Sequence, residues 1–460
     1  MTDKQASLEE VLLAREKRAG IQKELIEKYG VPVISFTMNI AGPVKTDPRI
    51  RRAFEHGRAA LEQRLQAERC PVIDRRITHE ATGDEAVYAV DCSAEKLKGI
   101  CTAIEDGSPA GRLFDMDVIG TDGEKLSREQ ERSCIVCGRP GRYCASRRIH
   151  SLEELQYATE NLICKAFEEE DGAWIGRLCV KALQEEALTT PKPGLVDRSN
   201  NGSHKDMTLY MLLKSADSLR QYFTECFFIG RQYAGLSPQT MFPPLKEAGM
   251  RAEHIMFGAT GGVNTHKGAV FHFGLLCGSA GYLYRGLRQY DVQEICSTVS
   301  VACGETLQGY LDSLKDGDDL THGELQYRKR HIAGARGEAM SGYESVRTYG
   351  LPVFEKMLAE TRDRNRAGCQ ALLSLIGNTI DTNMIRRGGF AVAREIARTV
   401  SELLREKGSL STEEIEELDR QFIKLNLSPG GCADLLGITY LLHDLGTYSE
   451  ENREEKEIAI

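Results

Sequence analysis

A glycine-rich stretch near the middle of the chain combines backbone freedom with side chains that can bind a ligand. Residues 258–268 read Gly-Ala-Thr-Gly-Gly-Val-Asn-Thr-His-Lys-Gly. Glycines let a backbone approach a ligand closely, and a helix that begins at their end offers unpaired N–H groups to an anion. The spacing matches neither the GxxxxGKS/T phosphate loop nor a GxGxxG dinucleotide turn. The stretch therefore predicts either a ligand-binding loop or a glycine-rich helix start that permits tight packing; the binding residues would be Gly261, Gly262, Asn264, His266 and Lys267.

Two carboxylates in the first third of the chain have the spacing of a metal site. Asp115 and Asp117 lie two residues apart on a predicted strand, so both project from one face while their apolar neighbours project from the other. Carboxylates about 7 Å apart at Cα can converge on Mg²⁺. Arg112, just before them, can bring a guanidinium to a phosphate. The alternative is a pair of solvated acids on an edge strand.

A cysteine and histidine cluster follows the two aspartates. Cys134, Cys137, Cys144 and His150 are ligand types that suit Zn²⁺. However, only one CxxC is present and the spacings are not those of a standard zinc finger, so zinc is not the expected cofactor and reduced structural thiols are predicted. The surrounding arginines suggest binding of a polyphosphate instead; they are Arg132, Arg139, Arg142, Arg147 and Arg148.

Polar loops recur through the second half of the chain. A loop after a predicted helix at 174–188 contains Lys192, Asp197, His204 and Asp206, and functional groups concentrate on loops held by a rigid scaffold. Further polar clusters lie at predicted helix ends and contain Glu324, Arg336, Glu338, Asp381, Asn383, Arg387 and Asp434. Each cluster alone can be explained as a helix cap or a turn. Because they all lie at helix ends of one helical region, we predict that they line one cleft.

These residues require two kinds of scaffold. In the first third, helical patterns over 8–29 and 49–68 alternate with strand patterns over 33–40, 87–90 and 111–119, which predicts a mixed α+β domain. From about 151, where Ser151 and Glu154 form a capping box, the pattern is that of an all-α domain. Its helices are predicted over 207–232, 266–289, 291–314, 351–377, 389–406 and 412–424.

The boundary between the two regions is predicted as a break near 165–172, where an acidic stretch ends at a glycine, and we place the domains at 1–167 and 168–460. The uncharged segment 268–284 approaches the length of a membrane span but contains His272. Its Gly274 and Gly278 lie four residues apart. We therefore predict a buried helix that another helix approaches closely.

Composition excludes several classes of protein. A chain of 460 residues exceeds one hydrophobic core, so at least two domains are expected. The net charge of -9 argues against broad nucleic-acid binding. The polar start, Met1 to Glu10, predicts no signal peptide. The fourteen cysteines are therefore expected as reduced thiols in a cytoplasmic protein without a membrane partner.

Several motifs of the first 165 residues occur together: Asn39-Ile40-x-Gly42-Pro43-x-Lys45, Gly111-Arg-Leu-Phe-Asp-Met-Asp-Val118, Ser127-Arg128, Arg132-x-Cys134-x-x-Cys137, Cys144 and His150-Ser151. They resemble the apo-citrate lyase phosphoribosyl-dephospho-CoA transferase family, apart from Ala41 in place of an expected proline. The resemblance implies a nucleotidyltransferase-like domain with Asp115 and Asp117 as metal ligands and Arg112 and Arg128 as substrate-binding residues. It also implies transfer of a prosthetic group to a serine of the citrate lyase acyl carrier protein, the γ subunit, with release of pyrophosphate.

Another ordered set of motifs runs from about 174 to 445: Thr190-Pro-Lys-Pro-Gly-Leu-Val-Asp197, Gly202-Ser-His-Lys-Asp-Met207, Thr260-Gly-Gly-Val-Asn-Thr-His-Lys-Gly268, Gly334-Ala-Arg-Gly-Glu338 and Ser428-Pro-Gly-Gly-x-Ala-Asp434. This set resembles the triphosphoribosyl-dephospho-CoA synthase family. The resemblance implies that ATP and 3′-dephospho-CoA are substrates, and that 2′-(5″-triphosphoribosyl)-3′-dephospho-CoA and adenine are products.

That reaction suggests roles for the polar residues. Loss of adenine from the ribose passes through an oxocarbenium-like state, and it needs a base for the attacking hydroxyl and an acid for the leaving adenine. We assign Asp197, His204 and Asp206 to a metal or base group. Catalysis is further assigned to His266, Glu324, Glu338, Asp381 and Asp434, and substrate or phosphate binding to Lys192, Gly261, Gly262, Asn264, Lys267, Arg336, Asn383 and Arg387.

The two resemblances support each other, since one domain makes what the other consumes. They predict a bifunctional, Mg²⁺-dependent enzyme that matures citrate lyase. Two alternatives remain open: the same chemistries serving malonate decarboxylase, and a carrier-binding protein with a degenerate catalytic half.

Overall fold

The chain separates into two compact units. The computed structural model describes residues 5–315 and 319–448. One unit contains the residues up to 169 together with 285–287, and the other contains residues 170–284 and those from 288 onward. Residues 1–4, part of the segment used to predict that no signal peptide is present, lie outside the described residues. Within the described ranges, no helix is long and apolar enough to cross a membrane.

The first unit is built on a four-stranded antiparallel sheet in the order β2-β3-β1-β4. Its strands are β1 (Val33–Met38), β2 (Val72–Glu80), β3 (Gly83–Val90) and β4 (Phe114–Ile119). Its helices are α1 (Leu8–Tyr29), α2 (Pro48–Ala67), α3 (Ala94–Gly107), α4 (Gly141–Arg147) and the first part of α5 (Leu152–Leu188). The predicted mixed α and β composition is confirmed.

Local sequence signals explain the ends of these elements. Ser7 and Glu10 form a capping box at the start of α1, and Gly30 ends the helix in the left-handed conformation. Asp47 caps α2 through its side chain, and Pro48 occupies the first turn, where its missing N–H costs nothing. The strand β2 was not predicted, because as an edge strand it is mostly exposed and carries charged residues.

The two faces of the sheet have different cores. On one face, Phe36 stacks on Phe54 of α2, with Phe114 at its edge. On the other, Leu25 of α1 packs with Val33 and neighbouring apolar residues. Because side chains alternate along a strand, Phe114, Met116 and Val118 of β4 enter the first core, while its two aspartates and Ile119 project from the opposite face.

The second unit is helical throughout, as predicted. It contains the rest of α5 and then α6 (Leu209–Ser218), α7 (Arg220–Tyr233), α8 (Phe242–Thr260), α9 (Lys267–Leu283), α10 (Val292–Ser313), α11 (His322–Arg330), α12 (Gly334–Met340), α13 (Leu351–Thr361), α14 (Arg364–Asn378), α15 (Thr382–Gly388), α16 (Phe390–Lys407), α17 (Thr412–Lys424) and α18 (Gly430–Thr447).

Helix α9 is buried along most of its length, and its glycines admit neighbouring helices. A Cβ at Gly274 would lie 2.0 Å from the Tyr222 hydroxyl of α7, and one at Gly278 would lie 2.6 Å from the Leu245 side chain of α8. The predicted buried helix with close neighbours is therefore confirmed.

Three predicted ends of helices are wrong. The acidic stretch 167–172 does not interrupt the helix, because it lies inside α5, where Gly172 makes room for the Phe227 ring, although the two compact units do divide between residues 169 and 170. The helix predicted over 207–232 is divided at Leu219 into α6 and α7. The helix predicted over 351–377 is divided at Arg362, which adopts φ 55°, and Asp363 caps the helix that follows.

Candidate active sites

A cleft of about 550 Å³ opens among the helix ends of the second unit. It brings together ten of the residues predicted for this region: Lys192, His204, Asn264, His266, Lys267, Glu338, Asp381, Asn383, Arg387 and Asp434. The glycine-rich stretch contributes one wall. Its first residues end α8, its last begin α9, and Gly261 and Gly262 form the intervening turn with φ 66° and 90°.

Asp434 lies near the start of α18, just past its first turn, and against the beginning of α9. A Cβ on Gly268 would lie 1.9 Å from Asp434 Oδ2, so only glycine admits the carboxyl group at this distance. Burial, followed by the charges of Glu186 and Asp381, raises the pKa of Asp434 well above its usual range, although the backbone N–H of Ala269 donates to the carboxylate. A carboxyl group that keeps its proton and lines a cleft can act as a general acid.

Asp381 has a different environment in the same cleft. Its Oδ1 accepts the backbone N–H groups of Asn383 and Met384, at 2.7 and 3.0 Å, and its Oδ2 accepts that of Cys432 at 2.9 Å. Burial raises its pKa despite these hydrogen bonds. The carboxylate therefore joins the start of α15 to the start of α18, which positions the cleft wall.

Glu338 is the third predicted acid of the cleft. Its Oε1 accepts the Ser345 hydroxyl at 2.5 Å, whereas its Oε2 has no hydrogen-bond partner among the described residues. Burial raises the pKa of Glu338. One oxygen of this half-buried group thus remains available for a ligand.

His266 is held as a neutral hydrogen-bonding group. Its Nδ1 lies 2.8 Å from the Ser215 hydroxyl, which also accepts the Thr265 hydroxyl at 2.7 Å. Burial, and then the charge of Lys192, lowers the pKa of His266 to about 4. Its buried Nε2 has no partner among the described side chains. His272, also on the cleft, is similarly neutral, since burial lowers its pKa to about 3.

Positive charge is distributed unevenly around the cleft. Lys192 Nζ is buried and lies 2.6 Å from Glu186 Oε1, and Lys267 Nζ lies 2.9 Å from Glu253 Oε2. Arg387 instead donates to two neutral acceptors, the Ser203 carbonyl at 2.9 Å and Asn426 Oδ1 at 3.1 Å. Its guanidinium charge is thus not neutralised by those contacts and can serve an anionic ligand.

The sequence reasoning missed two charged residues of this cleft, Glu186 and Arg386. Glu186 lies in the last turn of α5, where the helix dipole disfavours an acid, and this mismatch is a signal that could have revealed it. Arg386 is exposed and adjacent to Arg387, so its neighbour could have suggested a paired cationic site.

Other predicted residues do not line the cleft. Asp197 is buried in a turn, where Oδ1 accepts the N–H groups of Ser199 and Asn200 and Oδ2 accepts that of Lys192. Asp206 points to solvent with 71% of its side chain exposed, although His204, 3.9 Å away, does line the cleft and contacts Ser428 at 2.8 Å. The three residues do not form one compact metal or base group.

Glu324 and Arg336 form a structural pair outside the cleft lining. Glu324 completes a capping box with Thr321 and also accepts the Tyr310 hydroxyl at 2.6 Å and Arg336 at 3.1 Å. Despite partial burial, these donors lower the pKa of Glu324 to about 2. A carboxylate so fully satisfied is suited to holding α11 rather than to transferring protons.

A second cleft, of about 1030 Å³, lies in the first unit and contains all four residues predicted there: Arg112, Asp115, Asp117 and Arg128. The two aspartates project from one face of β4, where their cross-strand partners are Thr37 and Ser35. The Asp115 side chain is accessible from the cleft. The surrounding protein nevertheless removes part of its hydration, and this desolvation, together with the charge of Asp117, raises the pKa of Asp115. This pairing fits a divalent cation, because a cation would offset the repulsion between the carboxylates.

The arginines of this cleft are oriented by nearby acceptors. Arg112 donates to the Ser133 carbonyl at 2.5 Å, and Arg128 pairs with Asp106 at 2.5 Å. Lys125 pairs with Asp117. All three cations line the cleft that contains the aspartates, so they can approach the phosphates of a ligand.

The cysteine and histidine cluster lies beside the same cleft. The ligand atoms of Cys134, Cys137, Cys144 and His150 all lie within 4.8 Å of one another. The four residues named as a cluster therefore do lie together, although their intervals are not those of a standard zinc finger. The reason is that the folded backbone brings them together despite irregular sequence intervals.

Comparison with known proteins identifies the two halves. Residues 172–453 match the family model described as ATP:dephospho-CoA triphosphoribosyl transferase, and residues 6–166 match that described as apo-citrate lyase phosphoribosyl-dephospho-CoA transferase. The acid-lined helical cleft and the sheet-borne carboxylate pair thus belong to a transferase with two catalytic domains.

Relatives of similar length contain both halves. Protein CitXG of Haemophilus influenzae is 35% identical over 451 residues, which are 94% of this chain and 95% of that protein. Protein CitXG of Leuconostoc mesenteroides is 33% identical over 95% of this chain and 96% of its own length. The 2-(5″-triphosphoribosyl)-3′-dephosphocoenzyme-A synthase of Klebsiella pneumoniae is 39% identical over 57% of this chain and 87% of its own length. The chain belongs to the CitXG family.

Proposed function

We propose that this bifunctional enzyme matures citrate lyase by two consecutive transfers, one in each cleft. The single observation that carries this proposal is the presence, in one chain, of two family matches and two separate charged clefts that lie within them. The predicted assignment of residues 1–167 and 168–460 to the two activities is part of the proposal, as is the nucleotidyltransferase-like character of the first domain.

In the helical cleft, the substrates are ATP and 3′-dephospho-CoA. The 2′-hydroxyl oxygen of dephospho-CoA bonds to C1′ of the ATP ribose, the bond from C1′ to adenine breaks, and the hydroxyl proton leaves to a base. Asp434 protonates the departing adenine, because its raised pKa keeps a proton available. Neutral His266 supplies a hydrogen bond to substrate, and Arg386 and Arg387 bind the triphosphate.

Several residues support this cleft rather than react in it. Asp381 holds the helix starts together, Lys192 and Glu186 form a buried pair, and Asp197 fixes the loop that contains Lys192. Glu338, with one free carboxylate oxygen, is our candidate for the base or for a ligand of Mg²⁺. When bound, Mg²⁺ would supply charge neutralisation to the triphosphate.

In the cleft of the first unit, the product of the first reaction meets a carrier-protein serine. The serine oxygen bonds to the α-phosphorus of the triphosphate, the bond to the β-phosphate breaks so that pyrophosphate leaves, and the serine hydroxyl proton passes to a base. Asp115 and Asp117 would hold Mg²⁺, which stabilises phosphate charge when bound. Arg112 and Arg128 orient the phosphates. We propose that the acceptor is the citrate lyase acyl carrier protein, the γ subunit.

The first reaction is tested by chromatography after incubation with ATP, Mg²⁺ and 3′-dephospho-CoA. Free adenine, formed in equal amount to a new triphosphorylated product, is the expected result. Formation of ADP or AMP without adenine would reject the ribosyl transfer.

The second reaction is tested by intact-mass measurement of two apo carrier proteins, those of citrate lyase and malonate decarboxylase. We expect the mass of the citrate lyase carrier to increase by one phosphoribosyl-dephospho-CoA group. Modification of the malonate decarboxylase carrier alone would reject the proposed acceptor while leaving the chemistry in place.

A further inference from the structure

We propose that Cys134, Cys137, Cys144 and His150 bind one Zn²⁺ ion, which fixes the segment between β4 and α5. The Sγ atoms of Cys137 and Cys144 are 3.5 Å apart, and His150 Nε2 lies 3.2 Å from Cys137 Sγ. With Zn–S bonds of about 2.3 Å, a tetrahedral ion separates two sulfurs by about 3.8 Å and a sulfur from an imidazole nitrogen by about 3.6 Å. Small side-chain rotations therefore convert this cluster into a zinc site.

The backbone around the CxxC pair is already shaped to present both sulfurs. Cys134 N–H donates to the Arg139 carbonyl at 2.6 Å, and Gly138 N–H donates to the Cys134 carbonyl at 2.9 Å. Gly138 has φ 72°, a conformation that favours glycine. The chain consequently reverses within six residues, and the two cysteine side chains are held at its turn.

The other two ligands arrive from the next turn of chain. Cys144 lies in α4, and the Ile149 N–H donates to the Cys144 carbonyl at 3.2 Å, which returns the chain toward the cluster. The opposite ring nitrogen of His150, Nδ1, faces Glu154 Oε2 at 3.8 Å. A carboxylate behind a metal-binding histidine orients the ring and favours the tautomer whose Nε2 is free for the metal.

The burial pattern provides an independent reason for a metal. Between residues 121 and 150, Cys144 is the one buried residue. A stretch of this length cannot be ordered by apolar burial alone, because the conformational entropy that it loses is large. A structural Zn²⁺ ion supplies free energy of folding directly to segments of this kind.

The ligand set defines the ion and its role. Three thiolates and one imidazole complete a tetrahedron, which is the coordination of structural zinc and leaves no open position for catalysis. Binding releases three thiol protons and leaves a net charge of minus one on the site. The guanidinium groups of Arg142 and Arg148, which line the adjacent cleft, complement that charge.

The ion would also position a wall of the transfer cleft. Ser133, directly before the first ligand, accepts a hydrogen bond from Arg112 at 2.5 Å, and Cys134, Cys144 and His150 themselves line the cleft. Loss of the metal should therefore slow carrier modification by displacing this wall, although the ion itself takes no part in the reaction.

The test begins with tag-free full-length protein purified in reductant without chelator or added metal. Elemental analysis should find about one zinc per chain. After exchange with Co²⁺, the visible spectrum should show tetrahedral d–d bands and thiolate-to-cobalt charge transfer. A chain that neither contains zinc nor binds added Zn²⁺, or a cobalt spectrum of octahedral type, would overturn the proposal.

Substitutions of the cluster residues test whether they are the ones that bind zinc. Cys137→Ser and His150→Gln should lower zinc affinity at least 100-fold, measured by competition with a chromophoric chelator, whereas Cys92→Ser, a half-buried thiol outside the cluster, should leave it unchanged. Unaltered affinity in both cluster variants, or a Cys137–Cys144 disulfide in the purified protein, would contradict the assignment. If a variant does not fold, the metal content and cobalt spectrum of the unmodified chain decide the question.

Discussion

Asp381 and Asp434 lie in one cleft, yet their hydrogen bonds give them different tasks. Asp381 accepts backbone N–H groups from two helix starts, so its carboxylate is occupied in holding the wall. Asp434 accepts one backbone N–H, from Ala269, and burial raises its pKa well above the usual range, which favours the protonated carboxyl group. At the scale of single residues, the hydrogen bonds and burial of each aspartate, rather than its residue type, determine which one can act as the general acid.

Replacement of Asp434 tests this distinction. Asp434→Asn preserves the shape of the side chain but cannot donate a titratable proton, so adenine release should fall by about 100-fold or more. In the unmodified enzyme the rate should decline as pH rises through the elevated pKa of Asp434, and this descending limb should vanish in the variant. Asp217→Asn, an exposed acid of the same unit, is the control. An unchanged pH profile in Asp434→Asn would reject the role.

His272 gives a pH dependence of stability. Burial lowers its pKa to about 3 in the folded chain, whereas the unfolded chain takes up the proton near pH 6.5. The contribution of neutral His272 to the free energy of unfolding is therefore fully present above pH 6.5. It is lost progressively as the pH falls toward the pKa of His272 in the folded chain. Between pH 7.5 and 5, this residue should account for about 2 kcal/mol of lost unfolding free energy.

Denaturant unfolding of His272→Asn at both pH values measures that contribution. The variant should lose about 2 kcal/mol less than the unmodified chain on acidification, whatever its stability at pH 7.5. An identical loss in both proteins would show that His272 does not titrate on unfolding.

At the scale of elements, helix starts and ends determine the site. The first turn of α9 meets the second turn of α18 at Gly268 and Asp434, and the end of α8 provides the adjoining turn. The glycines of this stretch therefore serve two purposes: Gly268 permits close packing, and Gly261 and Gly262 permit a left-handed turn.

A matched pair of substitutions separates these effects. Gly268→Ala places a methyl group on the Asp434 carboxyl and should both destabilise the second unit and impair adenine release. Gly258→Ala, in the last turn of α8, where the new methyl group meets nothing within 4 Å outside its own stretch of helix, should raise the unfolding free energy by about 0.5 kcal/mol with activity retained. Equal effects of the two changes on thermal unfolding and on adenine release would refute this packing argument.

Helix periodicity and capping signals predicted many elements because those interactions are local. The capping box at Ser7 and the αL glycine at 30 define α1 from its own residues. The divisions at Leu219 and Arg362 were not predictable in the same way, since apolar periodicity continues across both. The acidic stretch ending at Gly172 misled the prediction because that glycine serves a distant Phe227 ring.

At the scale of the whole molecule, two clefts predict two separable activities. Asp115→Asn should abolish carrier modification, because it removes a charge from the carboxylate pair, while adenine release continues. Asp434→Asn should show the reverse: no adenine release, but normal transfer when the triphosphoribosyl intermediate is supplied. Intact-mass analysis of the carrier and chromatography of adenine measure the two outputs in the same sample. Loss of both activities in a folded Asp115→Asn protein would refute independent sites.

Motif order predicted ten of the residues that line the helical cleft, whereas Asp197, Asp206, Glu324 and Arg336 lie outside its lining. The contacts that pair these residues depend on the folded chain. Lys192 and Lys267 were both predicted to bind phosphate, but each contacts a glutamate outside its own motif, Glu186 and Glu253 respectively. Glu324 was predicted as catalytic from its motif, and the structure places it in a capping box. Irregular cysteine spacing likewise argued against zinc, whereas the backbone reversal at Gly138 and the turn after α4 bring the four ligand atoms within 4.8 Å of one another.

The protonated carboxyl of Asp434 also has a consequence for inhibitor chemistry. A neutral carboxyl group can donate a hydrogen bond, so a compound that presents an acceptor nitrogen in place of the departing base would be matched to it. A positive charge at this position would add little affinity, because a neutral carboxyl group does not form an ion pair with it. Affinity for the acceptor-bearing compound should weaken in alkaline solution as Asp434 ionises. The pH dependence of binding therefore distinguishes a ligand that contacts Asp434 beside α9 from one that contacts only Arg386 and Arg387.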